Sequence, residues 1–222
     1  MSVPCIVIST GSQGNAVLVN NCILIDCGVS YKAVEPYVYQ LQLVLLTHIH
    51  SDHFRPSTLR RLAQERPGLR FGCCRWLVPD LVHADVPVSS IDLLETGKTA
   101  RYTIGAVTPF LLKHDVPNCG YKLLLDSGKQ VFYATDTNDL NGIKAKNYDL
   151  YLVEANYTDE DIRRRLAEKK EKGEYPYERR VLEYHLSKAK CDDFIYENIG
   201  PQGEFIYLHG HVDKDDWRSK NE

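Results

Sequence analysis

Short apolar runs punctuated by turn residues dominate the first half of the chain. Pro4–Ser9 (PCIVIS), Ala16–Val19 and Cys22–Asp26 read as strands, separated by Gly11-Ser12-Gln13-Gly14-Asn15 and by Asn20-Asn21. Leu43–Thr47 is almost wholly apolar, too short for a helix and bounded by polar residues, which is the pattern of a fully buried strand. Helical candidates fill the intervals at Tyr31–Tyr39, Ser57–Gln64 and Trp76–His83. The second half repeats the theme with strands at Arg101–Ile104, Val107–Leu112, Tyr121–Leu125, Gln130–Thr135 and Leu150–Val153. An Asp126-Ser127-Gly128-Lys129 turn joins the third of these to the fourth. Three helices follow at Asp159–Lys172, Pro176–Tyr184 and Lys188–Asn198, the first opened by Thr158 with Asp161 three residues on as a capping box. Phe205–Leu208 closes with one more strand. Strands mixed with helices in both halves predict sheets covered by helices, a layered αβ architecture. No repeat, low-complexity stretch or Pro/Gly/Ser linker divides residues 1–222, which therefore read as one domain.

Composition removes several classes of protein. A chain of 222 residues with 43% hydrophobic and 26% charged residues can bury a substantial core and is not a disordered segment. No run approaches the roughly eighteen apolar residues of a membrane span, and Met1-Ser2-Val3-Pro4 lacks the basic and apolar regions of a secretory signal. A net charge of −3 argues against a surface that clamps nucleic acid everywhere, while leaving room for a local basic patch. The seven cysteines form no C-x-x-C pair, and they read as free, mostly buried thiols in a reducing cytoplasm.

The histidines change the picture. Thr47-His48-Ile49-His50-Ser51-Asp52-His53 follows the buried strand, and three imidazoles with one carboxylate in six residues are hard to explain as packing. With eight histidines in 222 residues, H-x-H-x-D-H arises by chance in roughly one such chain in a thousand. An irregular loop leaving a strand end can aim alternate side chains inward, and neutral imidazole with carboxylate suits Zn²⁺, or Mn²⁺ where oxygen ligands are more numerous. Four such ligands in one loop point to two adjacent divalent metals, whose remaining ligands must come from other strand ends. His114, Asp136 and His209 each stand just past a predicted strand. Taken alone, a histidine there is ordinarily a packed or surface residue and an aspartate a turn former. Following H-x-H-x-D-H in order, they become ligand candidates.

These residues resemble the metallo-β-lactamase superfamily along essentially the whole chain, which implies a four-layer αβ/βα sandwich with the metal site at one edge between two central sheets. Gly11-Ser12-Gln13-Gly14-Asn15, Leu24-Ile25-Asp26-Cys27-Gly28, His114-Asp115 with Gly120-Tyr121, Thr135-Asp136-Thr137 and His185-Leu186-Ser187 are similar to its phosphodiesterase branch. That branch includes bacterial exonuclease-like hydrolases of the WalJ/YycJ type, tRNase Z, and phage cyclic-nucleotide phosphodiesterases that defeat Pycsar immunity. The resemblance implies His48, His50 and His114 on one metal, Asp52, His53 and His209 on the other, and Asp136 bridging both. It implies Asp26 as a carboxylate that orients a ligand histidine through its other ring nitrogen; a turn residue beside Gly28 is the alternative reading. Hydrolysis of a phosphodiester would follow, with hydroxide generated at neutral pH between the two ions. His185 would join Asp52 among the catalytic residues as donor of a proton to the leaving oxygen, its alternative being an ordinary histidine near a helix start.

Two departures mark this chain. His209-Gly210-His211 stands where close relatives tend to have His-Leu-Ser, leaving His211 as an alternative last ligand, and Tyr157 stands where exonuclease-like relatives often have histidine. His83 reads as a helix-surface residue. Arg163-Arg164-Arg165 and Lys169-Lys170-Glu171-Lys172 form the one basic concentration, interleaved with acids as on a solvated helix face. Tyr157, Tyr175 and Tyr177 flank it and are candidates for stacking on a base. No segment resembles the long arm with which tRNase Z holds tRNA. Three functions stay open: a phosphodiesterase for cyclic nucleotides or other small nucleotide phosphodiesters, a DNA or RNA nuclease on the same core, and a protein that sequesters nucleotides without turnover. Relatives in this branch are commonly homodimers, and a cytoplasmic location with no membrane partner is expected.

Overall fold

Alternation within each strand sorts the side chains between layers. In the computed structural model, which describes residues 2–210 other than 176, one sheet has the order β1-β2-β3-β4-β5-β6. Its strands are β1 (Cys5–Ser9), β2 (Ala16–Val19), β3 (Ile23–Ile25), β4 (Leu43–Leu46), β5 (Arg70–Cys74) and β6 (Ile91–Leu94). The other runs β12-β11-β10-β9-β8-β7. It comprises β7 (Ala100–Tyr102), β8 (Gly105–Leu112), β9 (Asn118–Leu125), β10 (Gln130–Ala134), β11 (Leu150–Glu154) and β12 (Glu204–Leu208). Leu43 and Leu45 join Val131, Tyr133, Leu150 and Leu152 in the core between the sheets. Val44 and Leu46, one residue out of phase, face α1 (Tyr31–Val34), α2 (Pro56–Glu65) and α3 (Val78–His83). On the far side Phe132, Ala134, Tyr151 and Val153 pack under Cys191, Phe194 and Ile195 of α6 (Lys188–Asn198). The result is the expected four-layer αβ/βα sandwich. Two further helices, α4 (Asp159–Lys172) and α5 (Glu178–Tyr184), lie between β11 and α6 in the chain.

Several elements differ from the sequence expectation for identifiable reasons. The helix predicted over Tyr31–Tyr39 breaks into α1 and a 3₁₀ turn over Glu35–Gln40, because Pro36 has no N–H to continue the α ladder. Pro79 similarly separates a 3₁₀ turn over Arg75–Leu77 from α3. The strand predicted at Arg101–Ile104 ends at Tyr102, and the chain turns back into β8 at Gly105, where φ is +134° and a Cβ would lie 2.2 Å from the Leu124 carbonyl oxygen. The helix predicted from Pro176 begins at Glu178. Strands β5 and β6 were not predicted. Three glycine or cysteine positions and a leading arginine blur the first, and the second carries Asp92, which pairs with Arg70 across the strands (Nε–Oδ2 3.1 Å). Helix α4 is capped as predicted on one side: the Asp161 N–H donates to Thr158 Oγ1 at 3.2 Å. The Asp161 carboxylate pairs with Arg164 and Arg165 instead of completing the box.

Candidate metal centre

Strand direction explains why residues far apart in sequence converge. β3 and β4 run parallel, as do β10, β11 and β12. β8 shares the direction of β10 because both are antiparallel to β9. The carboxyl ends of these strands therefore open on one edge of the sandwich, where ligands of open sheets are ordinarily bound. Asp26 follows β3, Thr47–His53 follows β4, His114 follows β8, Asp136 follows β10, Glu154 ends β11 and His209 follows β12. Asp26, Asp136 and His209 have φ of 59°, 56° and 52°. A non-glycine residue in this left-handed region costs of order 1–3 kcal/mol and persists only when its surroundings determine it.

Those surroundings are hydrogen bonds. The fully buried Asp26 carboxylate accepts from the Thr47 N–H (3.0 Å) and Thr47 Oγ1 (2.9 Å) on Oδ1, and from Tyr133 O–H (3.0 Å) on Oδ2. His53 Nδ1 lies 2.7 Å from the same Oδ2. The pairing leaves His53 Nε2 for the centre, so Asp26 takes the orienting position and not that of a mere turn residue. Asn15 braces the opposite side of the loop. Its N–H donates to the Asp52 carbonyl at 2.6 Å, and its side-chain nitrogen lies 2.8 Å from His53 Nε2. Gly28 lets the backbone of this loop approach closely, since a Cβ there would fall 1.8 Å from the Asp52 carbonyl oxygen. Beneath the loop, Tyr121 O–H donates to the Leu46 carbonyl at 2.5 Å, tying β9 to the end of β4.

The structure brings all seven predicted ligands together. His48, His50 and His114 offer ring nitrogens within 4.8 Å of one another, and so do Asp52, His53 and His209 with their ring nitrogens and carboxylate oxygen. Asp136 stands between the two groups: Oδ2 is 3.0 Å from His53 Nε2, and Oδ1 is 3.4 Å from His209 Nε2 and 4.0 Å from His114 Nε2. His48 carries a nitrogen suited to a cation. Its Nδ1 lies 2.9 Å from Thr47 Oγ1, while the buried Nε2 has no hydrogen-bond partner. An orphaned buried nitrogen of this kind is costly unless something coordinates it, so the residues present fit a metal.

Electrostatics agree. Burial, with the neighbouring His53, keeps the His48 imidazole well below its ordinary value and hence neutral, as a ligand must be. Burial would also lower His53, but the Asp136 and Asp26 carboxylates hold it well above. Likewise His209 is lifted, against burial, to about 9 by Asp136 and Asp52. Burial works to raise the Asp136 carboxyl, yet His209 and His53 hold it well below the usual range. Carboxylates that draw protons onto buried rings create the negative potential that divalent cations would occupy.

Residues 21–185 match the family model described as "Beta-lactamase superfamily domain". The chain belongs to that superfamily. Within reach of this superfamily chain by sequence is exodeoxyribonuclease YycJ of Bacillus anthracis, 23% identical over 220 residues that cover 91% of this chain and 80% of that protein. The metallo-beta-lactamase fold protein YhfI from Bacillus subtilis has a similar structure, with a TM-score of 0.71 at 17% identity over 96% of this chain and 88% of its own. Human tRNase Z, short form, gives 0.64 at 16% identity over 93% and 92%. At those identities the structural likeness is one of fold. The resemblance inferred from the histidine motif is borne out.

Other candidates fall into place around this superfamily site. His185 follows α5 and sits beside the centre, Nδ1 being 2.6 Å from Glu154 Oε1 and 3.6 Å from Asp136 Oδ1. Burial lowers its proton affinity, but the Glu154 carboxylate more than offsets this and raises it. Glu154 itself was missed as a functional residue. It is fully buried, and Oε2 accepts from the Thr137 N–H at 3.0 Å. Asp115, also unassigned by the sequence, lies 3.3 Å from His50 Nε2 and pairs with Arg180 (Oδ2–Nη2 2.9 Å). An acid next to a motif histidine was the available signal for Asp115; for Glu154 only its place at a strand end pointed the same way. His83 is exposed at the end of α3. The alternative ligand His211 lies outside the described residues. The basic run on α4 behaves largely as a solvated face, with Arg164 bound to Asp161 and Glu168 and Lys169 to Glu178. Among the described residues no helix is long and apolar enough to cross a membrane, and all seven cysteines are free.

Proposed function

We propose that this chain is a two-metal phosphodiesterase acting on small nucleotide phosphodiesters, cyclic nucleotides foremost. The observation that carries the reading is the pair of three-residue ligand groups with Asp136 between them, at the base of a cleft of only about 190 Å³. His48, His50 and His114 would hold one ion, Asp52, His53 and His209 the other, and Asp136 would serve both; Zn²⁺ is the first expectation and Mn²⁺ the second. When bound, the ions supply a hydrolytic nucleophile at neutral pH and neutralise charge on the phosphoryl oxygens. The protein orients and donates. Asp26 fixes His53, Asn15 and Gly28 fix the Asp52 backbone, and Arg180 sets a half-exposed guanidinium at the mouth, where it can meet a phosphate oxygen. With Glu154 at its Nδ1, where it would stabilise the imidazolium, His185 would give the proton on Nε2 to the leaving oxygen.

A nuclease on the same centre is the second reading. It is favoured by the names of the relatives, an exodeoxyribonuclease and a tRNase Z. The test is to incubate metal-loaded protein in parallel with cyclic mononucleotides, bis-p-nitrophenyl phosphate, and short DNA and RNA. Cleavage of the cyclic compounds, little changed by salt, is the expected result. Preferential cleavage of the polymers, with affinity falling steeply as salt rises, would establish the nuclease instead. Nucleotide binding without hydrolysis in either Zn²⁺ or Mn²⁺ would make the protein a sequestering one. His50→Ala, Asp136→Ala and His209→Ala serve as controls, each expected to abolish hydrolysis with the circular dichroism of the fold retained. A homodimer in the cytoplasm completes the proposal, its assembly to be measured by sedimentation.

A further inference from the structure

Beside the metal cleft lies a larger cavity of about 600 Å³. The two share Ser12, Tyr177, His185 and His209 in their walls, but the larger touches none of His48, His50, Asp52, His53, His114 or Asp136. The β1–β2 loop bounds it on one side, and α4 and α5 on the other. Its lining is chemically mixed. Tyr157 and Tyr177 are aromatic, Ile162 and Val181 aliphatic, and Asp161 with Arg165 forms an ion pair (Oδ2–Nη2 2.5 Å).

An occupant must satisfy three conditions. As part of a substrate it must be joined to a group in the metal cleft, which the wall shared by the two cavities permits. It must present apolar surface to two tyrosines, an isoleucine and a valine, and polar edges to a carboxylate–guanidinium pair. It must also be one small molecule in size, since the volume lies in the range of single-ligand pockets and leaves no room for a paired duplex. A nucleobase on its sugar meets all three, and stacking on tyrosine accepts any base. We infer that this cavity is the subsite for a single nucleoside attached to the scissile phosphate, an inference that rests on the phosphodiester reading of the metal centre.

Thymidine 5′-(p-nitrophenyl phosphate) and methyl p-nitrophenyl phosphate share a leaving group and differ in the nucleoside. Metal-loaded wild-type protein is expected to favour the thymidine ester by at least about tenfold in kcat/KM, the scale of one base stack. Val181→Trp fills the cavity and should erase about tenfold of that preference, mainly through KM. Tyr177→Ala, at an exposed position, should lower it by about fivefold. Equal kcat/KM for the two esters in the wild type, or a preference that survives both variants, overturns the inference. Calorimetric binding of thymidine 5′-monophosphate to the metal-loaded protein reads the cavity without turnover, and Val181→Trp should weaken it about tenfold. If neither ester is hydrolysed but this binding and its loss are seen, the phosphodiesterase reading fails and the subsite stands. If both esters are hydrolysed equally and the monophosphate does not bind, the subsite fails and the phosphodiesterase reading stands.

Discussion

Asp26 and Glu154 do the same job on opposite sheets. Each is a fully buried carboxylate at a strand end, and each holds the Nδ1 of one histidine. The consequences of removing them should differ, because His53 is proposed as a ligand and His185 as a proton donor. His185→Ala should lower kcat by about 10²–10³-fold with both metals retained on elemental analysis. Glu154→Gln should show a smaller loss in kcat with little change in KM. Metal lost in proportion to activity in His185→Ala would mark it as a ligand. The H-x-H-x-D-H residues were legible in the sequence because four ligands lie within six positions, a local pattern that needs no fold to be seen. Glu154 and Asn15 were not legible in their roles. Their partners stand 31 and 38 positions away, and a glutamate closing an apolar strand carries no mark of what it will face.

At the scale of elements, the site depends on the seam between the two sheets. Tyr133 reaches Asp26 from β10 and Tyr121 reaches the Leu46 carbonyl from β9. Gly120 lets β9 close in, since a Cβ there would sit 2.4 Å from the Phe110 ring and 2.5 Å from the Tyr133 carbonyl oxygen. Tyr121→Phe removes the hydrogen bond from β9 to the Leu46 carbonyl and should cost about 1–2 kcal/mol in denaturant unfolding. Gly28→Ala is the harsher test. Its methyl group displaces the backbone between Asp52 and His53, so affinity at the Asp52–His53–His209 group should fall by about tenfold or more in a metal titration while the His48–His50–His114 group still binds. Buried strands such as β4 were legible because four consecutive apolar residues admit little else. β5 and β6 were not, since Arg70 opens the first and the edge position of the second tolerates Asp92.

For the molecule as a whole, the proposed metals and the fold would stabilise each other. Ions held at about a hundredfold above their dissociation constant add about 2.7 kcal/mol. Treatment with a chelator should then lower Tm by roughly 5–10 °C and abolish hydrolysis, with both restored by Zn²⁺ or Mn²⁺. An unchanged Tm would mean that the ligand cluster is held entirely by its own hydrogen bonds. The two ligand groups also differ in how far along the chain they reach. His48, His50 and His114 all lie within the first 114 of the 222 residues, whereas His209 meets Asp52 across 157 positions and its N–H donates to Thr10 Oγ1 across 199. During synthesis the three histidines of the first group are joined when about half of the 222 residues have been made, and His209 only after β12. The proposed two-metal centre can therefore close only once β12 has been made, so that binding at the Asp52–His53–His209 group would report that both sheets are in place.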